Sequence, residues 1–207
     1  ISMALAMTYA GARGETESQM ATTLHFDLPQ ASLHPAFNAL STSLAMREGE
    51  QDDPVFKLNI ANALWGQQGF GFAPDFLDLL ALNYGAGLQV VDFAAEEQAR
   101  QTINDWVADQ TEDKIKDLIP PGALNPLTRL VLTNAIYFNA AWINPFEEDN
   151  TRQEPFYLLD GSQVQVPMMR QTESFGYVRG EDYEAVELFY EAEQLSMVIL
   201  MPDEGQL

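Results

Sequence analysis

Residues 128–142 contain neither glycine nor proline. Val131, Thr133, Ile136, Tyr137 and Phe138 give the run a β-branched and aromatic character, which suits a pleated, half-buried surface. At about 3.3 Å per residue it can extend roughly 50 Å, whereas strands are usually about 5–6 residues long. A strand of that length belongs near the middle of a large sheet with both faces covered. One residue breaks the pattern. Asn134 stands among Leu132, Ala135 and Ile136, and a buried amide must find partners or cost about 1–3 kcal/mol. The default reading is a satisfied core asparagine, because most buried polar groups are paired for structural reasons.

The segments before this run read mainly as helices. Residues 1–9 form an apolar helix stopped by Gly11. Thr16-Glu17-Ser18-Gln19 reads as a capping box opening a second helix through Leu24. Leu33, Phe37, Leu40 and Leu44 fall at helical spacing and mark a third. An acidic loop over 48–53 leads into residues 55–65, where Phe56, Leu58, Ile60, Asn62 and Leu64 alternate as in a strand. Gly66, Gly69 and Gly71 are assigned to a turn. Pro74 opens a fourth helix, with Phe76, Leu79, Leu80 and Tyr84 on one face. A short strand covers 88–93. A helix over 94–110 carries Ala99, Ile103, Trp106 and Val107 on one side and charges on the other, so it should lie on a sheet with one face in water.

After the long run the character changes. Residues 156–159, Asp160-Gly161, Val164 and Val166 read as a β-hairpin. Residues 175–178, 185–190 and 195–201 read as further strands, with Met168-Met169 and Met197 as core filler. Helices and one long strand followed by short antiparallel strands make an α+β arrangement.

The chain has 207 residues and a net charge of -21, from 31 acidic and 10 basic residues. So much negative charge argues against nucleic acid or an anionic membrane as partner. The basic residues do not cluster, and the third helix carries only Arg47 near its end, so no glycosaminoglycan site is visible. With no cysteine, disulfides, thiolate catalysis and cysteine zinc sites are excluded, while the compartment stays open. The first residues already lie inside a helical pattern, so any targeting segment is expected to be missing from the sequence.

The catalytic inventory is thin. His25 and His34 lack acidic or histidine partners at metal-ligand spacing and read as structural or surface residues. No G-x-S-x-G elbow and no P-loop is present. No cofactor is expected, and the carboxylate runs Glu147-Glu148-Asp149 and Glu181-Asp182 read as solvated loops. An acidic α+β hydrolase stays as a reading from another class, without a nucleophile–base pair to support it.

Taken together the motifs resemble the serpin family of serine protease inhibitors, of prokaryotic type. Asn134-Ala135-Ile136-Tyr137-Phe138, Trp142 and Pro145-Phe146 are similar to the family's long central strand and the turn after it. Gly11-Ala12-Arg13-Gly14-Glu15-Thr16 resembles its turn between early helices. Thr102 to Val107, with Thr111, Lys114 and Ile115, resembles the helix lying across its main sheet. Val166-Pro167-Met168-Met169 and Leu200-Met201-Pro202-Asp203 match two more landmarks, and all occur in the family's order.

The resemblance implies a serpin-like α+β fold. A large mixed or antiparallel sheet carries helices, beside smaller antiparallel sheets. On this resemblance residues 1–207 are expected to be a single, incomplete domain that begins after the family's Ser-Pro-x-Ser run and ends before its reactive loop. It also implies a suicide-substrate inhibitor, without catalytic residues, whose cleaved loop inserts into the main sheet. The partner is a serine protease, with a cysteine protease as the other option. Asn134 would exchange partners where the sheet opens, Trp142 would pack where the loop enters, and Thr151 and Phe156 would belong to the gate the loop passes. A carrier or chaperone on the same fold is the alternative. The expected location is extracellular or periplasmic, with the cytoplasm as second choice.

Overall fold

The computed structural model describes residues 1–46, 56–85 and 87–205. The acidic loop over 48–53, Arg47 and Val55 lie outside them. The chain forms two compact units, one holding the described residues up to 46 and from 57 to 138, the other Phe56 and the described residues from 139 on.

The first unit is built around a three-stranded sheet in the order β2-β1-β3, with β1 Phe56–Gln67, β2 Leu88–Val91 and β3 Leu130–Ala140. β1 and β2 are parallel, with Leu64 opposite Leu88. β1 and β3 run antiparallel: Gln67 N–H bonds Arg129 C=O at 3.0 Å, and Asn62 meets Asn134 further along. The long run is therefore paired with the earlier strand. The run is shorter than residues 128–142 at both ends. Before it, Thr128 N–H closes a turn onto Asn125 C=O, and the Arg129 guanidinium binds the Pro126 and Thr128 carbonyls. After it, Trp142 makes an isolated antiparallel bridge to Tyr190.

Strand alternation sends successive β3 residues to different layers. Leu130 and Leu132 join Leu64, Met7, Phe76 and Leu80 against helices α1 Ser2–Tyr9 and α4 Pro74–Tyr84. Val131 and Ala135 face the other way, with Ala61, Ala63 and Trp65, under Ile103 and Val107 of helix α5 Glu96–Gln110. Both faces are thus covered as far as Ala135, while Ile136 and Phe138 are exposed. Helices α2 Glu15–Leu24 and α3 Gln30–Ala45 pack through Leu33, Phe37 and Met20 onto Tyr9 and Ala12.

Two local expectations change. The capping box does not form: Gly14 is the cap residue of α2 with no side-chain cap bond, and Thr16 falls inside the first turn. Gly66 is not in a turn but in β1, where a Cβ would come within 2.6 Å of Leu88 and Phe72. Glycine is needed there for close approach.

The second unit holds the hairpin β4 Arg152–Tyr157 and β5 Gln163–Met168, with Phe156 opposite Val164. It also holds an antiparallel sheet in the order β6-β7-β8, from β6 Gly176–Arg179, β7 Tyr183–Phe189 and β8 Ser196–Pro202. Met169 and Met197 are exposed rather than core filler: Met169 lies past the end of β5, and both faces of β8 from Met197 to Met201 are open. Among the described residues no helix is long and apolar enough to cross a membrane.

Candidate functional site

The amide of Asn134 lies on the β3 face shared with Leu130 and Leu132. It is half-buried, and its Nδ2 donates to Oδ1 of Asn62 on β1 at 2.7 Å. Asn62 Nδ2 in turn points at Sδ of Met3 on α1 at 3.7 Å. Sulfur is a weak acceptor, so the amide pair is firm and the helix contact loose. Beside Asn62 opens a cavity of about 180 Å³, lined also by Asn38 and Ser41 of α3 and by Asn83 and Tyr84 of α4. The apolar surround expected for Asn134 is therefore one-sided: Asn62 and this polar cavity share its face.

The deeply buried polar group of β3 is the neighbouring Thr133, at 2% exposure. The Trp65 indole Nε1–H donates to its Oγ1 at 3.0 Å, and the threonine hydroxyl approaches Ala63 C=O at 3.4 Å. Trp106 is half-buried and meets Trp65 edge-on, with centroids 5.6 Å apart and ring planes at 80°. Adjacent residues of β3 thus hold β1 from opposite faces.

A further link comes from the turn after α5. Glu112, at a positive φ of 48°, takes the Lys57 ammonium of β1 at 2.7 Å and the Tyr137 hydroxyl of β3 at 3.0 Å. These two hydrogen bonds, Lys57 first, hold the Glu112 carboxyl below its ordinary value. Asn59 Nδ2 also donates to Gln110 C=O at 2.8 Å. The end of α5 is therefore stapled across both central strands. No sequence signal marks this, since Lys57 and Tyr137 lie 55 and 25 residues from Glu112.

In the second unit Trp142 stacks on Tyr190 with centroids 4.3 Å apart and planes at 14°, and Phe146 meets it edge-on at 6.3 Å. Burial raises the Tyr190 phenol. Backbone bonds from Ile143 N–H to Phe189 C=O and from Glu191 N–H to Ala141 C=O lock the Trp142 segment along the end of β7. Thr151 follows a single 3₁₀ turn, bonding its N–H to Glu148 C=O at 2.9 Å, and leads into β4. Phe156 is half exposed on that strand. Beside the hairpin a polar groove is lined by Asn150, Arg152, Glu154, Arg170 and Gln171, with Arg170 and Glu154 ion-paired at 2.7 Å. No hydrogen bond or ring contact joins Trp142, Thr151 and Phe156 to one another. Three sequence-selected residues therefore share a unit without forming one cluster.

A family model described as serpin (serine protease inhibitor) matches residues 1–207. The chain belongs to the serpin family. It is 42% identical to a leukocyte elastase inhibitor of Xenopus tropicalis, covering 98% of this chain and 53% of that protein. It is 41% identical to an uncharacterized serpin-like protein of Thermococcus kodakarensis, covering 100% of this chain and 47% of the relative. A solved structure entitled Cleaved Serpin 42Da superposes with a TM-score of 0.82 at 35% identity, covering 97% of this chain and 53% of that one. The chain thus spans about half the length of the relatives it matches, and its fold is an incomplete serpin domain.

Proposed function

We propose that the protein carrying this chain inhibits serine endopeptidases as a suicide substrate and has no catalytic residue of its own. The observation that carries this is the serpin match over residues 1–207, with a relative named as an elastase inhibitor at 42% identity. The protease serine adds to a peptide bond of an exposed loop, the amine leaves, and the acyl ester forms. The cleaved loop then enters the main sheet and traps the ester before water hydrolyses it. Serpin loop insertion is itself a standard illustration of released strain. A cysteine protease would be held the same way through a thioester.

Within this reading the chain supplies receiving machinery. The Asn62–Asn134 amide pair is the exchangeable link, because both groups are half-buried and Asn62 lines a polar cavity where new partners fit. Trp142, stacked on Tyr190, forms a rigid aromatic corner for an entering strand. Thr151 and Phe156 border the path the loop takes. An extracellular or periplasmic site of action suits a secreted protease partner, and a cysteine-free chain is compatible with the cytoplasm too.

The test incubates the complete protein with chymotrypsin-like and subtilisin-like proteases and runs denaturing gels. A band at the summed mass is expected. Cleavage of the protein without such a band by every protease tried overturns inhibition. For the switch, Asn134→Ala should speed polymer formation on mild heating, and an unchanged rate removes that role.

A further inference from the structure

Helix α3 is long but buries few side chains, and one of them is a histidine. Its buried residues are Leu33 and His34. His34 is 1% exposed, wedged between the Tyr9 ring of α1 at 6.3 Å and the Tyr84 ring of α4 at 5.8 Å. Its Nδ1 lies 2.7 Å from the Tyr84 hydroxyl. Its Nε2 is buried without any hydrogen-bond partner. Pro35 follows inside the helix, which removes one backbone donor and weakens the turn that presents His34. Beyond that turn, Asn38 and Ser41 border the cavity rather than a packed core.

We propose that His34 is an acid-operated latch whose protonation releases helix α3 from α1 and α4. An orphaned buried N–H is rarer than an under-satisfied acceptor. The neutral ring therefore carries its proton on Nδ1, donates it to Tyr84, and leaves Nε2 as a bare lone pair. A second proton would sit on Nε2 with no acceptor and would bury a charge. The groups facing the ring do not help. α1 presents Tyr9, α4 presents Tyr84, and the turn after α1 presents the Arg13 guanidinium, pinned to the Ala10 and Ala12 carbonyls. Among the described residues no carboxylate pairs with His34.

Burial, then the Arg13 charge, holds the imidazole below its ordinary value of 6.5. The docked state therefore binds fewer protons than the released one. Docking is complete above pH 6.5 and weakens as pH falls below it, by at most about tenfold per pH unit. Release would uncover the cavity beside Asn62, and so the face of the sheet that carries Asn134.

The test is hydrogen exchange of the complete protein at pH 7.5 and 5.0, corrected for intrinsic rates, with His25→Gln as a control. Protection of residues 30–45 should fall roughly three- to thirtyfold at pH 5.0, while that of α5 changes little. His34→Gln should abolish the pH dependence, and His25→Gln should keep it. Unchanged α3 protection in the natural protein, or pH dependence surviving in His34→Gln, overturns the proposal. Should that variant not fold, an NMR titration of the natural protein decides. A His34 midpoint below 6.5 supports the latch, and a midpoint at or above 6.5 overturns it. None of these readouts requires protease inhibition.

Discussion

Thr133 and Asn134 are adjacent on β3, yet their bonds to β1 differ in kind. Thr133→Val keeps shape but strands the Trp65 indole N–H in a buried site, which should cost about 1–3 kcal/mol. Asn134→Ala frees an Asn62 oxygen that water can reach, so about 0.5–1.5 kcal/mol is expected. Urea unfolding of the two variants at constant m should rank Thr133→Val as the more damaging, and the reverse order would show that the Asn134 side is the tighter one. Trp106→Ala belongs near the bottom of the 3–5 kcal/mol range for aromatic truncation, about 3 kcal/mol, because one side of the ring is open. The amide of Asn134 stood out in the sequence because asparagine is foreign to a β-rich run. Thr133 did not, because threonine is an ordinary strand residue and its tryptophan partner lies 68 residues away. His34 was likewise legible as structural, while its bare Nε2 follows only from where α1 and α4 place Tyr9 and Tyr84.

At the scale of elements, Glu112 ties the end of α5 to β1 and β3, and its sign with pH is fixed. Its folded value is depressed below the ordinary 4.5 by the Lys57 and Tyr137 hydrogen bonds. The staple therefore contributes above pH 4.5 and is lost as pH falls through that value towards the lower, folded one. The difference in urea midpoint between natural protein and Glu112→Gln should be constant above about pH 5.5 and shrink below pH 4.5. A difference that persists at pH 3 would show that the carboxylate's charge is irrelevant. Gly66→Ala should destabilise by about 1–3 kcal/mol through overpacking against Leu88 and Phe72. Periodicity located most strands and helices, since the period-2 and period-3.6 patterns are local. Gly66 was misassigned because glycine as a turn former and glycine as a close-contact residue are identical in sequence. The capping box failed for a related reason: Gly14 starts α2 before Thr16 can cap it. The Trp142 corner was legible only through the family resemblance, because its partner Tyr190 is brought in by a β-bridge that no local pattern encodes.

For the whole molecule, charge and apolar surface oppose each other. The chain carries a net charge of -21, which favours dispersal. Against this, β8 is the outer strand of its sheet, and Met197, Val198, Ile199, Leu200 and Met201 along it are all exposed. An apolar outer strand is a template for intermolecular pairing, and contiguous exposed apolar surface favours association. Repulsion acts over the Debye length, which falls from about 10 Å at 0.1 M salt to about 3 Å at 1 M, whereas the apolar attraction is not screened. The 207-residue chain by itself should therefore associate more as salt rises. Sedimentation velocity at low and high sodium chloride, at one protein concentration, measures this directly. Val198→Lys is the discriminating variant, because Val198 lies opposite Glu187 and a lysine there gains a cross-strand ion pair while interrupting the apolar row. It should shift the distribution towards monomer at high salt without lowering the unfolding midpoint. Equal association of natural and variant chains would place the sticky surface elsewhere, with the exposed Phe156, Tyr157 and Leu159 of the hairpin as the next surface to substitute.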